Sequence, residues 1–212
     1  NPAFEESAMF DNCIDIILEQ KGAYDIIVFD CAAVAKAVRL LGWSKIYDLW
    51  LSRMVRSREE ALSLRVKLSF RKDRVMEEIK KDPMMADLIT MKRRMEEVKP
   101  FFVNPETTAF FFVTLPLALP IAVVKRFIEM VKAFDIPVGG VFVNMVLPEE
   151  IMKKEKSEYI LNKYKEQEAY LATIRKDLWP LVRAFIPLYS TEVLGLDMIS
   201  KVSESIVNWK PS

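Results

Sequence analysis

The sequence predicts an α/β fold: a doubly wound, mostly parallel sheet carrying a helical insertion. Three observations predict it. Apolar runs of strand length recur at 24–30, 109–114 and 138–144. Each gives way to a stretch with helical spacing, the alternation that covers a parallel sheet on both faces. Between the first run and the second, residues 42–100 are charged and helical, without any strand pattern.

The elements follow in order. Phe4–Glu19 reads as a helix with Met9, Cys13, Ile16 and Ile17 on one side. Tyr24–Asp30 (YDIIVFD) is an apolar run ending in an acid, the pattern of a central parallel strand that delivers a carboxylate to the sheet's C-terminal edge. Ala32–Leu41 is helical. In the block 42–100, Ser57-Arg58-Glu59-Glu60 has capping-box spacing and predicts a helix start. Asp82-Pro83 predicts a break. Met84, Leu88, Met91, Met95 and Val98 then recur at intervals of four and three, one stripe of an amphipathic helix.

Thr107–Val124 is an uncharged run of 18 residues, long enough on length alone to cross a bilayer. Pro116 and Pro120 cut it, so the prediction is a buried strand over 109–114, a loop, and a helix over 120–134 with Ile121, Val124, Phe127, Ile128 and Val131 on one side. A turn at Asp135-Ile136-Pro137 leads to a strand over Val138–Asn144. A long charged helix over Glu149–Lys176 buries Ile160, Tyr164, Leu171, Ile174 and Leu178. A short strand at Arg183–Pro187 and a helix at Leu196–Asn208 close the pattern.

Composition narrows the chemistry. The 212 residues contain no histidine, which excludes imidazole triads and His-ligated metals within them. Two cysteines cannot make a disulfide framework or a four-thiolate zinc site. The net charge of +1 argues against a nucleic-acid partner. Charge is nonetheless uneven: residues 42–100 hold 15 Lys and Arg against 10 Asp and Glu, and six of the 11 methionines. The five glycines form no phosphate-loop pattern.

Several segments, in order, resemble the arsenite-pump ATPase and tail-anchored-protein targeting ATPase family of deviant P-loop nucleotidases. Asn1-Pro2-Ala3-Phe4-Glu5-Glu6 sits where that family has Pro-Gly-x-Asp-Glu. Asp30-Cys31-Ala32-Ala33-Val34-Ala35-Lys36 follows the YD-hydrophobic strand where the family has its second nucleotide switch. Asn104-Pro105-Glu106-Thr107-Thr108-Ala109-Phe110, Thr114-Leu115-Pro116 and Lys125-Arg126 continue the series. Ile136–Asn144 with Leu147-Pro148-Glu149 follows, then Gln167-x-x-Tyr170-Leu171, Pro187-Leu188-Tyr189 and Glu192-Val193-x-Gly195.

The resemblance implies the C-terminal portion of a longer protein. Its phosphate-binding loop, which would lie upstream on a central strand, is missing from these residues, so the sheet should be left open in the middle. It implies ATP and Mg²⁺ as ligands, a homodimer, and a cytoplasmic protein that approaches the membrane peripherally. Its output would be a conformational cycle moving a hydrophobic helix or a membrane protein, and this portion alone should not turn over ATP. The family's Pro-Thr-Gly-His switch turn is here Ala33-Val34-Ala35-Lys36, Leu117 stands for a family Glu, and the Cys-x-x-Cys zinc clamp is absent. The altered turn makes a degenerate, non-hydrolysing nucleotide- or partner-binding module a rival expectation; the energising subunit of an anion pump is a second, though the missing cysteine triad argues against arsenite.

The implied site residues each have a plainer reading. Asp30 is either outer-sphere support for Mg²⁺ in catalysis or a helix N-cap. Asn144 is either the amide that reads adenine or a turn residue. Pro187, Leu188 and Tyr189 would flank the base. Lys36 is more readily a solvated helix lysine than a phosphate ligand. The stripe Met84, Leu88, Met91, Met95 and Val98 is either core or a pliable groove for a partner helix. The domain division expected is 1–41 with 101–212 as the nucleotidase-like part, and 42–100 as the insertion.

Overall fold

The computed structural model describes residues 2–31, 34–68, 82–154 and 157–210. They form two compact units, 1–107 and 108–212.

The first unit is helical. Helix α1 (Pro2–Gln20), α2 (Val34–Leu68) and α3 (Pro83–Val103) pack together. Their shared core is Phe10, Ile14, Leu51, Leu88, Met95, Val98 and Phe102, with Phe10 and Phe102 stacked at 6.2 Å. The packed side of α1 is therefore Phe10, Ile14 and Ile17; of the predicted Met9, Cys13, Ile16 and Ile17, Ile17 packs on this core. Met9 and Ile16 face outward. Around that core, Arg94 pairs with Asp15, and Lys21 pairs with Glu97 while lying over the Phe101 ring.

Two local signals had different outcomes. Asp82-Pro83 starts α3 as expected: Asp82 is its N-cap, and its carboxylate accepts the Met85 N–H at 3.0 Å. Ser57-Arg58-Glu59-Glu60 starts nothing, because α2 passes straight through it, as it also passes residues 41–42. Glu60 instead pairs one turn back with Arg56 at 3.2 Å.

The strand expected at Tyr24–Asp30 is a correction. Lys21 and Tyr24 form an isolated bridge, and residues 26–30 join no ladder among the described residues. Ile26 and Val28 are about four-fifths exposed, at 79% and 83%. A strand needs hydrogen-bonding neighbours that lie far away in sequence, and an apolar run states only a readiness to pair.

The second unit is the α/β part. It holds strands β1 (Phe110–Thr114), β2 (Val138–Val146) and β3 (Val182–Pro187) in the order β1-β2-β3, all parallel. Helix α4 (Ala118–Ala133) packs on β1 and β2, burying Ile121, Val124, Ile128 and Val131. Two helices, α5 (Glu149–Lys154) and α6 (Glu158–Leu178), stand where one long helix was expected. Ser157 has extended backbone at the head of α6 and separates them. A 3₁₀ turn (Trp179–Leu181) leads into β3, and α7 (Gly195–Val207) packs back on β3.

The sheet is covered on one face. Phe112, Thr114, Val141, Val143, Ala184 and Ile186 are buried, while Phe111 and Val113 alternate outward and stay exposed. This corrects the expectation that 109–114 is buried on both faces. On the outer face Phe111 stacks on Phe142 at 5.4 Å. Close approach there explains Gly139, where an added Cβ would meet the Phe111 ring at 2.6 Å. The 18-residue uncharged run resolves into strand, loop and helix. No described helix is long and apolar enough to cross a membrane.

Candidate functional site

In an open parallel sheet, ligands bind beyond the carboxyl ends of the strands, where loops and helix starts converge. The second unit brings several sequence-predicted residues to that edge. Asn144 is near the end of β2, and Val146 of β2 pairs in register with Pro187 at the end of β3. The Leu188 N–H donates to the Val146 carbonyl at 2.8 Å, so the Pro187-Leu188-Tyr189 segment is tied to the chain leaving β2. Leu188 is exposed and Tyr189 half-buried.

The geometry around Asn144 is tightly specified. Its Oδ1 accepts the N–H of Met145 at 2.9 Å, which leaves the amide NH₂ as the free donor. Met145 has φ of 55°, a left-handed conformation that a long side chain rarely takes. Two residues on, Leu147 is gripped by the side chain of Gln167 from α6. Gln167 Oε1 accepts the Leu147 N–H at 2.7 Å, and Gln167 Nε2 donates to the Leu147 carbonyl at 3.1 Å. Gln167 is 5% exposed. Sequence reasoning placed it only inside a motif. The usable signal was an amide one turn before Leu171, on the buried side of an amphipathic helix.

Asp30 lies in the other unit, exposed, at the end of the unladdered 26–30 segment. Next to it, burial raises the Cys31 thiol pKa, with the Asp30 carboxylate adding to the effect. The Cys13 thiol is raised by burial first and by Cys31 second. Of the altered switch turn, Ala32 and Ala33 lie outside the described residues. Lys36 and Arg39 belong to the first part of α2, residues 34–48, of which only the backbone is described.

The methionine stripe divides. Leu88, Met95 and Val98 are in the core of the first unit, and Met84 and Met91 are exposed. Met84 and Leu88 also line a cleft of about 210 Å³ with Met54, Ser57, Arg58 and Ala61. At its rim, Arg58 pairs with Asp82 at 2.6 Å, while its buried Nε has no hydrogen-bond partner.

The residues present fit part of a nucleotide. An amide donor near the end of β2, with Leu188 and Tyr189 following the end of the neighbouring β3, suits a flat heteroaromatic ring bearing acceptor nitrogens. Among the described residues no group of three or more Asp, Glu or Cys is placed to hold a metal ion.

These features define a class: a parallel α/β protein with a candidate base-reading edge beyond β2 and β3. The comparisons with known proteins narrow it. A family model described as anion-transporting ATPase matches residues 1–208, and the chain belongs to that family. It is similar to ATPase GET3C of Arabidopsis thaliana, 26% identical over 215 residues, covering 99% of this chain and 53% of that protein. It is similar to ATPase GET3B of the same plant, also 26% identical, covering 99% of this chain and 50% of that protein. It is similar to ATPase ARSA1 of Chlamydomonas reinhardtii, 24% identical, covering 99% of this chain and 26% of that protein. The chain thus spans about half the length of the Arabidopsis relatives.

Proposed function

We propose that these residues belong to an ATP-binding, ATP-hydrolysing switch protein that couples nucleotide state to a hydrophobic or membrane-protein cargo. One juxtaposition carries the reading: in a member of this family, Asn144 and Pro187-Leu188-Tyr189 stand at neighbouring strand ends on a single sheet edge. In it, the Asn144 NH₂ donates to the adenine edge, Leu188 and Tyr189 flank the ring, and Asp30 supports the hydration shell of Mg²⁺. Bound Mg-ATP supplies the phosphoryl transfer to water. The phosphate cradle comes from sequence outside these 212 residues, because no glycine-rich loop here can form one.

In this reading 1–41 joins 101–212 as the nucleotide part, and 42–100 moves with nucleotide state. The cargo surface includes the Met54–Met84–Leu88 cleft and the exposed Met91, while Met95 and Val98 share a core with Leu88. Thioether side chains adapt to varied apolar helices. The protein works as a cytoplasmic homodimer with peripheral access to the membrane. Calorimetry with Mg-ATP on the 212-residue chain and on the protein extended to its natural start tests this. Binding by the extended protein alone is the expected result, and binding by neither sinks the ATPase reading.

One sequence feature favours a second reading, a binding module that does not hydrolyse. The switch turn Ala33-Val34-Ala35-Lys36 has lost the hydroxyl and glycine of the family pattern. Tight Mg-ATP binding without steady-state turnover separates this reading from the first.

A further inference from the structure

We infer that Gln167 is a positioning residue for base recognition, acting through the backbone of Leu147 on the orientation of the Asn144 amide. The inference rests on the nucleotide reading above and extends it to a residue that touches no ligand.

The chain of contacts is continuous. Gln167 sits on α6 one turn before Leu171 and two before Ile174, both in the core, so its backbone is held by a rigid element. Its carboxamide makes a two-point match to the peptide of Leu147, accepting the N–H at 2.7 Å and donating to the carbonyl at 3.1 Å. That fixes the chain two residues beyond Met145, whose φ of 55° is a conformation the surroundings must impose. The Met145 N–H, so oriented, engages Asn144 Oδ1 at 2.9 Å. A free asparagine amide can turn over and exchange donor for acceptor. This one is pinned with its NH₂ presented. The Leu188 N–H to Val146 carbonyl bond carries the same constraint to the segment proposed to flank the base.

A pinned donor selects. Adenine offers a ring nitrogen acceptor where hypoxanthine carries an N–H. An amide free to invert serves both bases, and one locked donor-outward favours adenine. A buried glutamine that closes both polar groups of one peptide does so at some cost in side-chain entropy, and an apolar residue of that size would fill the same space.

The test uses the protein at its full natural length, with ATP, inosine triphosphate and inorganic tripolyphosphate as probes. Gln167→Met keeps the volume and removes both hydrogen bonds. Gln167→Glu keeps the acceptor and loses the donor. The expected result is that Gln167→Met lowers the ATP-over-inosine-triphosphate preference about fivefold or more, while tripolyphosphate binding is unchanged. Exchange of the Met145, Val146 and Leu147 amides should speed up about tenfold, with protection retained in the rest of β1–β3. Gln167→Glu should fall between the wild type and Gln167→Met, and adding Gln167→Met to Asn144→Ala should cause no further loss of preference. If exchange speeds up but the base preference holds, Gln167 is only a packing residue and the inference is overturned. If the wild type binds tripolyphosphate but shows no preference between the two nucleotides, the base reading at Asn144 falls first, and this inference with it.

Discussion

Truncating Met95 separates the two readings of the methionine stripe. Met95 is fully buried among Phe10, Ile14, Leu51, Leu88, Val98 and Phe102. Met95→Ala removes three atoms of roughly methylene size, about 2.4 kcal/mol of transfer free energy at about 0.8 kcal/mol each. If about 40 Å³ of the space stays open, the cavity adds about 1 kcal/mol. The loss of about 3 kcal/mol is a large share of a domain's usual stability of about 5–15 kcal/mol. Met91, 38% exposed on the same helix, is the control, and Met91→Ala should cost under about 1 kcal/mol. Urea titration followed by circular dichroism measures both. Equal, small losses at the two positions would refute the core assignment and make Met95 part of an open groove, where truncation weakens partner binding and leaves stability alone.

Gly140→Ala should destabilise the second unit by about 1–3 kcal/mol, because the new Cβ would lie 2.7 Å from the Leu181 carbonyl oxygen, a backbone atom; thermal melting of the variant checks it. The Met85 N–H and then the Arg58 guanidinium hold the Asp82 carboxyl below its usual value of 3.8. Its stabilising effect is therefore present at neutral pH and disappears as pH falls through the folded-state value. Acid titration of Asp82→Asn, which keeps the cap acceptor without the charge, should lose that dependence. Both thiols have raised pKa values, so alkylation of Cys31 near pH 7 should run slower than that of a free thiol despite its exposure, with the less exposed Cys13 slower still; mass spectrometry of a timed iodoacetamide reaction reads both.

Local chemistry was legible in the sequence. Asp82-Pro83 marked a boundary, where α3 begins, and Val138–Asn144 and Arg183–Pro187 read as strands within two residues of their bounds. The sequence places Asn144 at a strand's C-terminal edge, while the roles of Asn144 and Pro187-Leu188-Tyr189 are what the family resemblance implies; their adjacency depends on which strands pair. What failed depended on distant partners. Ser57-Arg58-Glu59-Glu60 has the spacing of a helix start, but nothing in four residues can tell that the preceding helix fails to stop. Tyr24–Asp30 has the pattern of a central strand, but residues 26–30 join no ladder among the described residues. Phe111 and Val113 look as buried as Phe112, since an all-apolar run does not say which face is covered. Gln167 was hidden for the opposite reason: its partner is a backbone peptide twenty residues away, which no side-chain pattern records.

The bare segment Ile26–Phe29 bears on how the molecule behaves in concentrated solution. Four consecutive apolar residues of high strand propensity, without proline or charge and in no ladder among the described residues, are a template on which a second molecule can lay the same segment. A net charge of +1 provides little long-range repulsion to keep the molecules apart near neutral pH. Solubility should therefore improve in acid, where carboxylates lose their charge and the net positive charge grows, so that protein concentration and buffer pH together set the colloidal stability of the chain.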